Sequence, residues 1–254
     1  MNELISLELQ GGIARATLCR PPVNAIGNDS IDRLHAIIDA VLADDAINVL
    51  WLRSNQRIFC AGADLDFMRS CFASAEGREA MAAYTRRLQE VYARLENLDR
   101  LTLVEIGGAA LGGGFELALS CDLRIVADSA RVGLPEVRLG LLPAAGGTQR
   151  MTRLCGESVA RRLILGAEAV SGQEVATLGL AQWVVPAAEL EARAQALAER
   201  LAQLPRAAVA GSKRCIEAKL AGDAQAYEIE LSESRKLIAS ADTQARVRRF
   251  LDKS

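Results

Sequence analysis

GGAALGGGFELALSCD, from Gly107 to Asp122, is the stretch whose reading decides the fold. Three consecutive glycines, Gly112 to Gly114, precede the helix-favouring run Phe115 to Leu119, so the spacing predicts a turn opening into a helix. A turn of that kind presents backbone N–H groups at the positive end of a helix dipole, where an anion or a developing oxyanion is stabilised. Glu116 follows one turn inside. A carboxylate beside a preformed N–H trap is the pairing needed to move protons next to a polarised carbonyl.

Working outward, Ile47 to Leu52, too apolar to have a wet face, and Leu101 to Ile106 are predicted as buried strands, and Leu123 to Ala127 as a strand after the central helix. A second glycine-marked turn, FCAGADL at Phe59 to Leu65, follows the first of these runs, and a second acid, Glu136, follows the last in a segment expected to be short and extended. At the start of the chain, Ile5 to Leu9 and Ile13 to Leu18 alternate around Gly11-Gly12 and predict a hairpin. Ile31, Leu34, Ile37, Ile38 and Val41 keep three-and-four spacing, as do Met81, Tyr84, Leu88, Val91 and Leu95, which predicts two amphipathic helices. Gly146-Gly147 opens a further helix. Ser171 to Leu178 is a helix with a serine N-cap, and Ala181 to Val185 is a last strand closed by Pro186. From Ala187 the chain reads as almost all helix, broken near Pro205 and Gly222, with alanine-rich apolar faces.

A chain of 254 residues, half of them hydrophobic, can bury one large core. A net charge of -2 supplies no broad basic footprint for a polyanion, which argues against nucleic acid as a partner. No signal peptide opens the sequence and no apolar run reaches the about 18 residues that span a bilayer, so a cytoplasmic protein without a membrane partner is expected. The six cysteines show no metal or redox spacing and read as free thiols. With His35 as the single histidine, on a helical pattern, a Ser-His-Asp, Cys-His or multi-histidine metal mechanism is disfavoured.

Taken in order, RPPVNAI near the start, CAGADL, ALGGGFELALSCD, LPEVRLGLLP, GGTQR and a helical tail ending in RRFLDK resemble the enoyl-CoA hydratase, or crotonase, superfamily over essentially the whole chain. The resemblance implies an α/β fold, a crotonase-like spiral of repeated β-β-α units with a C-terminal all-helical segment, divided here at Pro186 into a core of residues 1–186 and an oligomerisation segment of residues 187–254. It also implies an enoyl-CoA hydratase that adds water syn across a trans-2-enoyl-CoA to give a 3-hydroxyacyl-CoA. No metal or redox cofactor is implied, since coenzyme A is part of the substrate.

By the same resemblance Glu116 activates the water, Glu136 delivers the proton to the α-carbon, and the backbone N–H groups of Ala63 and Gly113 form the oxyanion hole. The adenine of coenzyme A rests on the turn of Ala61, Ala63, Asp64 and Leu65, and Phe250 and Lys253 reach the coenzyme of a neighbouring subunit in a homotrimer or dimer of trimers. The sequence departs from the family pattern at Pro22-Val23, at Leu101-Thr102 and at Ala144, where a glycine is common. An enoyl-CoA double-bond isomerase, which can work with one glutamate, is the rival within the superfamily, and an RNA-binding or scaffolding relative is the rival outside it.

Overall fold

The structure is a computed structural model and describes residues 3–252. The hairpin forms as β1 (Ile5–Gln10) and β2 (Ile13–Leu18), antiparallel around the glycine turn. Then come α1 (Asn28–Ala43), β3 (Val49–Ser54), α2 (Leu65–Cys71), α3 (Ala75–Glu96), β4 (Leu101–Ile106), β5 (Ala110–Leu111), α4 (Gly113–Leu119), β6 (Leu123–Ala127) and β7 (Arg131–Gly133). A 3-10 turn at Glu136–Leu139, α5 (Gly147–Leu165), β8 (Ala169–Ser171), α6 (Gly172–Thr177), β9 (Trp183–Val185) and α7 (Leu190–Ala202) follow. After them lie α8 (Arg206–Leu220), α9 (Ala226–Ala239) and α10 (Ala241–Leu251).

The main sheet runs β1-β2-β3-β4-β6-β9, parallel from β2 onward. Its central strands are buried on both faces, which is why they read as continuous apolar runs: Val49 to Leu52 and Leu103 to Ile106 are all buried, the single acid Glu105 included. A second, three-stranded sheet, β5-β7-β8, had no periodic signal because its strands are only two or three residues long. Its first strand, β5, leads directly into the glycine turn.

The chain forms two compact units, one through Gln203 and one from Leu204. The division expected at Pro186 therefore moves. The helix just beyond that proline, α7, packs across β2, β3, β4 and β6 and buries Ala194, Leu197, Ala198 and Leu201 against the sheet. Its alanine-rich face required a partner, and the core supplied it. The second unit consists of α8, α9 and α10, with α8 and α9 packed on each other and Glu233 of α9 bonded to both Arg214 and Lys236. His35, on α1, has its Nδ1 2.8 Å from Nη1 of Arg94 on α3, a structural placement as expected.

Two contacts lock the glycine turns together. The segment at residues 60–64 pairs with the start of the 110s through a parallel bridge between Cys60 and Ala110 and a bond from the Leu111 N–H to the Cys60 carbonyl at 3.0 Å. At Gly114 the approach is closer still, since a Cβ there would lie 2.4 Å from the Cys60 carbonyl oxygen and 2.7 Å from its Cβ and Sγ. Backbone cannot yield as a flexible side chain can, so Gly114→Ala is expected to cost about 1–3 kcal/mol of stability. Urea unfolding measures it, and an unchanged midpoint would show that the two turns are not held by this contact.

Candidate active site

Both glycine turns open on one cavity of about 380 Å³, lined among others by Ala61, Ala63, Leu65, Gly113, Glu116 and Glu136. The structure thus gathers from three separate segments the residues that the sequence motifs single out. Gly113 is the first residue of α4, and helix geometry leaves its N–H without an intrahelical acceptor. Ala63 bridges to Ile26 through its neighbours, Gly62 accepting from the Ile26 N–H and Asp64 donating to the Ile26 carbonyl, so the Ala63 N–H is left over. Among the described residues neither N–H has a protein acceptor. The two groups are near each other, because a Cβ on Gly113 would stand 3.8 Å from the Ala63 nitrogen. Tyr92 from α3 donates to the Gly113 carbonyl at 2.9 Å and fixes this end of the helix. Arg124 bonds the Ala118 and Cys121 carbonyls at the other end.

Glu116 is 3% exposed. Its Oε1 accepts the Gly147 N–H at 2.7 Å, and the Ala145 N–H bonds to the same carboxylate. Burial pushes the Glu116 carboxyl up to about 7, and the facing carboxyl of Glu136 adds to the rise. The two N–H bonds and the charge of Arg150 pull the other way. Glu136, expected in an extended segment, instead begins the 3-10 turn, where Pro135 fixes the entering φ and Gly140 ends the turn in the left-handed region. Burial raises its carboxyl as well. Its Oε1 lies beside Gly112, and its Oε2 is buried with no hydrogen-bond partner among the described residues. A buried acceptor left without a partner is costly unless a ligand or a proton satisfies it.

The coenzyme-turn residues divide. Ala61 and Leu65 are exposed at the cavity, Leu65 at 68%. The Asp64 carboxylate caps α2, accepting from Asp66 and Phe67 at 2.9 and 3.1 Å, and pairs with Arg20 at 2.5 Å. The bond from the Phe67 N–H, with Arg20 adding to it, holds its carboxyl below the usual carboxylate range. Asp64 is thus a helix-capping acid, and its N–H and carbonyl are bonded to Ile26 and Met68 as well. Phe250 lies on α10 in the second unit and is 72% exposed. Lys253 lies outside the described residues. The sequence reading missed the N–H groups of Ala145 and Gly147 as partners of Glu116; its signal was the glycine pair itself, taken there only as a helix start.

Two neighbouring N–H donors without protein acceptors, on one cavity with two carboxyls of raised proton affinity, can stabilise an enolate oxygen while protons move on and off neighbouring atoms. That is the equipment of an acid-base catalyst acting beside a carbonyl. A model of the enoyl-CoA hydratase/isomerase family matches residues 8–254, and the chain belongs to that family. It is 35% identical to a short-chain-enoyl-CoA hydratase of Clostridium acetobutylicum, over 91% of this chain and 88% of the relative. It is 32% identical to a 2,3-dehydroadipyl-CoA hydratase of Escherichia coli, over 100% of this chain and 97% of the relative. The crystal structure of an enoyl-CoA hydratase from Bacillus anthracis superposes with a TM-score of 0.92 at 30% identity, covering 99% of this chain and 97% of that one. The architecture is accordingly the crotonase fold.

Proposed function

We propose that this protein is an enoyl-CoA hydratase acting on trans-2-enoyl-CoA thioesters, and that Glu116, Glu136, Ala63 and Gly113 carry the reaction. The observation behind this reading is that two carboxyls and two unpaired N–H groups face one cavity. Glu116, held by two N–H bonds that favour its ionised form, takes a proton from water as the oxygen bonds to the β-carbon. The π electrons move to the thioester oxygen, where the N–H groups of Ala63 and Gly113 hold the enolate. Glu136, on the same cavity, then protonates the α-carbon. Two glutamates with separate tasks favour hydration over a double-bond shift, for which one acid is enough.

The acyl end of the cavity supports an uncharged chain. Met68, Met81, Leu88, Leu142 and Ala145 line it, and the Tyr84 hydroxyl is spent on the Ile26 carbonyl at 2.7 Å. Arg138 is the one cation in the lining among the described residues, and its Nη2 bonds the Ala167 carbonyl at 2.7 Å. A carboxylate at the chain end would have Arg138 alone to pair with, and placed among the apolar side chains instead it would go unpaired, at a cost of several kcal/mol. Coenzyme A would lie on the turn of Ala61 to Leu65. Contacts from Phe250 and Lys253 of a neighbouring subunit, and a cytoplasmic homotrimer or dimer of trimers, rest on the family resemblance. No helix among the described residues is long and apolar enough to cross a membrane.

The test is an activity screen following loss of the conjugated double bond. Straight-chain trans-2-enoyl-CoA esters are expected to be hydrated with at least tenfold higher kcat/KM than 2,3-dehydroadipyl-CoA. Equal rates would refute the uncharged chain, and isomerisation of 3-enoyl-CoA without hydration would refute the hydratase.

A further inference from the structure

Behind Glu116 lies a polar cluster that the reaction just described does not use. Arg150, in the first turn of α5, folds back over its own helix start and is only 7% exposed. Its Nη1 donates to the Ala145 carbonyl at 2.9 Å, while Nε and Nη2 donate to one oxygen of Glu96 at 3.0 and 2.8 Å. Glu96 ends α3, and its second oxygen accepts from Arg153. One guanidinium therefore ties the last turn of α3 to the loop at residue 145.

That loop is what grips the carboxylate, through the N–H groups of Ala145 and Gly147. The glycine pair is built around the two side chains. Gly146 sits at φ +103, and a Cβ there would lie 2.2 Å from Nη1 of Arg150. A Cβ on Gly147 would lie 2.8 Å from Oε1 of Glu116. The first glycine makes room for the arginine and the second for the glutamate, which gives the GGTQR motif a task beyond starting a helix.

We infer that Arg150, braced by Glu96, is a positioning residue for Glu116, fixing the backbone that aims its carboxylate at the reacting water. This rests on Glu116 acting as the base. The brace has an electrostatic consequence too. The titratable groups facing Glu116 are Glu136 from the 3-10 turn, Tyr84 and Tyr92 from α3, with Cys60 of the 60–64 turn beside the tyrosines, and Arg150 from α5. Burial raises both phenols and pushes the Cys60 thiol up to about 12, so these three are neutral at pH 7. Arg150 thus supplies the positive charge that opposes the rise burial imposes on Glu116. Lysine could replace the charge but not a planar fork that reaches a carbonyl and a carboxylate together.

The experiment is a pH titration of the free protein with ¹³Cδ-labelled glutamate, Glu116 being assigned by its missing signal in Glu116→Gln, alongside kcat against pH with a four-carbon trans-2-enoyl-CoA. Arg150→Gln should move the Glu116 titration and the acidic limb of kcat to higher pH, and lower the plateau roughly ten- to hundredfold. Arg150→Lys should return the titration towards wild type but leave the plateau reduced. Glu96→Gln, which keeps both arginine charges, should lower kcat with little change in titration. If Arg150→Gln does not fold, Arg150→Lys and Glu96→Gln decide. Wild-type kcat in either, or an unmoved titration in folded Arg150→Gln, overturns the inference. A shifted titration in a protein whose wild type hydrates no enoyl-CoA would leave the brace standing and reject the hydratase.

Discussion

Glutamine at either Glu116 or Glu136 is expected to cut hydration at least about a hundredfold, because each substitution removes a proton-transfer partner of at least that worth. The double variant should be far from the product of the two losses, since both groups act on one water and one double bond. Folding should survive. At Glu116 the glutamine Oε1 can still accept from Gly147, and burial no longer opposes a charge. Because the folded-state value is raised from 4.5 to about 7, the unfolded chain releases this proton first as pH rises. The contribution of Glu116 to stability therefore falls between about pH 4.5 and 7, by about 3 kcal/mol for a shift of this size, and stays lowered above it. Glu116→Gln should lose that slope and be the more stable protein at pH 8. Urea unfolding at pH 5 and pH 8 and kcat for the three variants are the measurements. Normal hydration by either single variant would end the two-acid mechanism.

Gly113→Pro should lower kcat by about 10²–10³ or more while leaving the fold intact. Proline is accepted at the first position of a helix, where its missing N–H breaks no intrahelical bond, and Gly113 occupies that position. The preceding residue is Gly112, which has no Cβ to clash with the ring. A Cβ at 113 would meet nothing closer than 3.8 Å. What the substitution removes is one of the two donors, and only a reaction that builds charge on the oxygen between them would notice. Circular dichroism and unfolding midpoints establish folding, and single-turnover rates separate chemistry from binding. A folded Gly113→Pro protein with near wild-type turnover would show that the oxyanion is held elsewhere.

Most of what locates this chemistry was legible in the sequence. Buried parallel strands announce themselves as short apolar runs, so β4 and β6 fall where Leu101 to Ile106 and Leu123 to Ala127 placed them. The glycine turns were legible because close backbone approach leaves no alternative residue, as Gly114 against Cys60 illustrates. Glu116 and Glu136 were named from motifs of fixed spacing. Other features were not legible. The strands β5, β7 and β8 are too short to carry a period, and α7 has an apolar face that reads alike whether it packs on its own sheet or on a neighbour.

By itself the sequence determined the residue types, the local turns and helices, and the family. Only the tertiary structure decided that Ala63 and Gly113 come together on one cavity, that Glu116 is buried and shares that cavity with Glu136, and that Arg150 reaches back to Ala145 and Glu96. Local spacing fixes which way a side chain leaves its helix or turn. Proton affinity and charge stabilisation depend instead on which groups from distant segments exclude water together, and that is settled only when the segments pack.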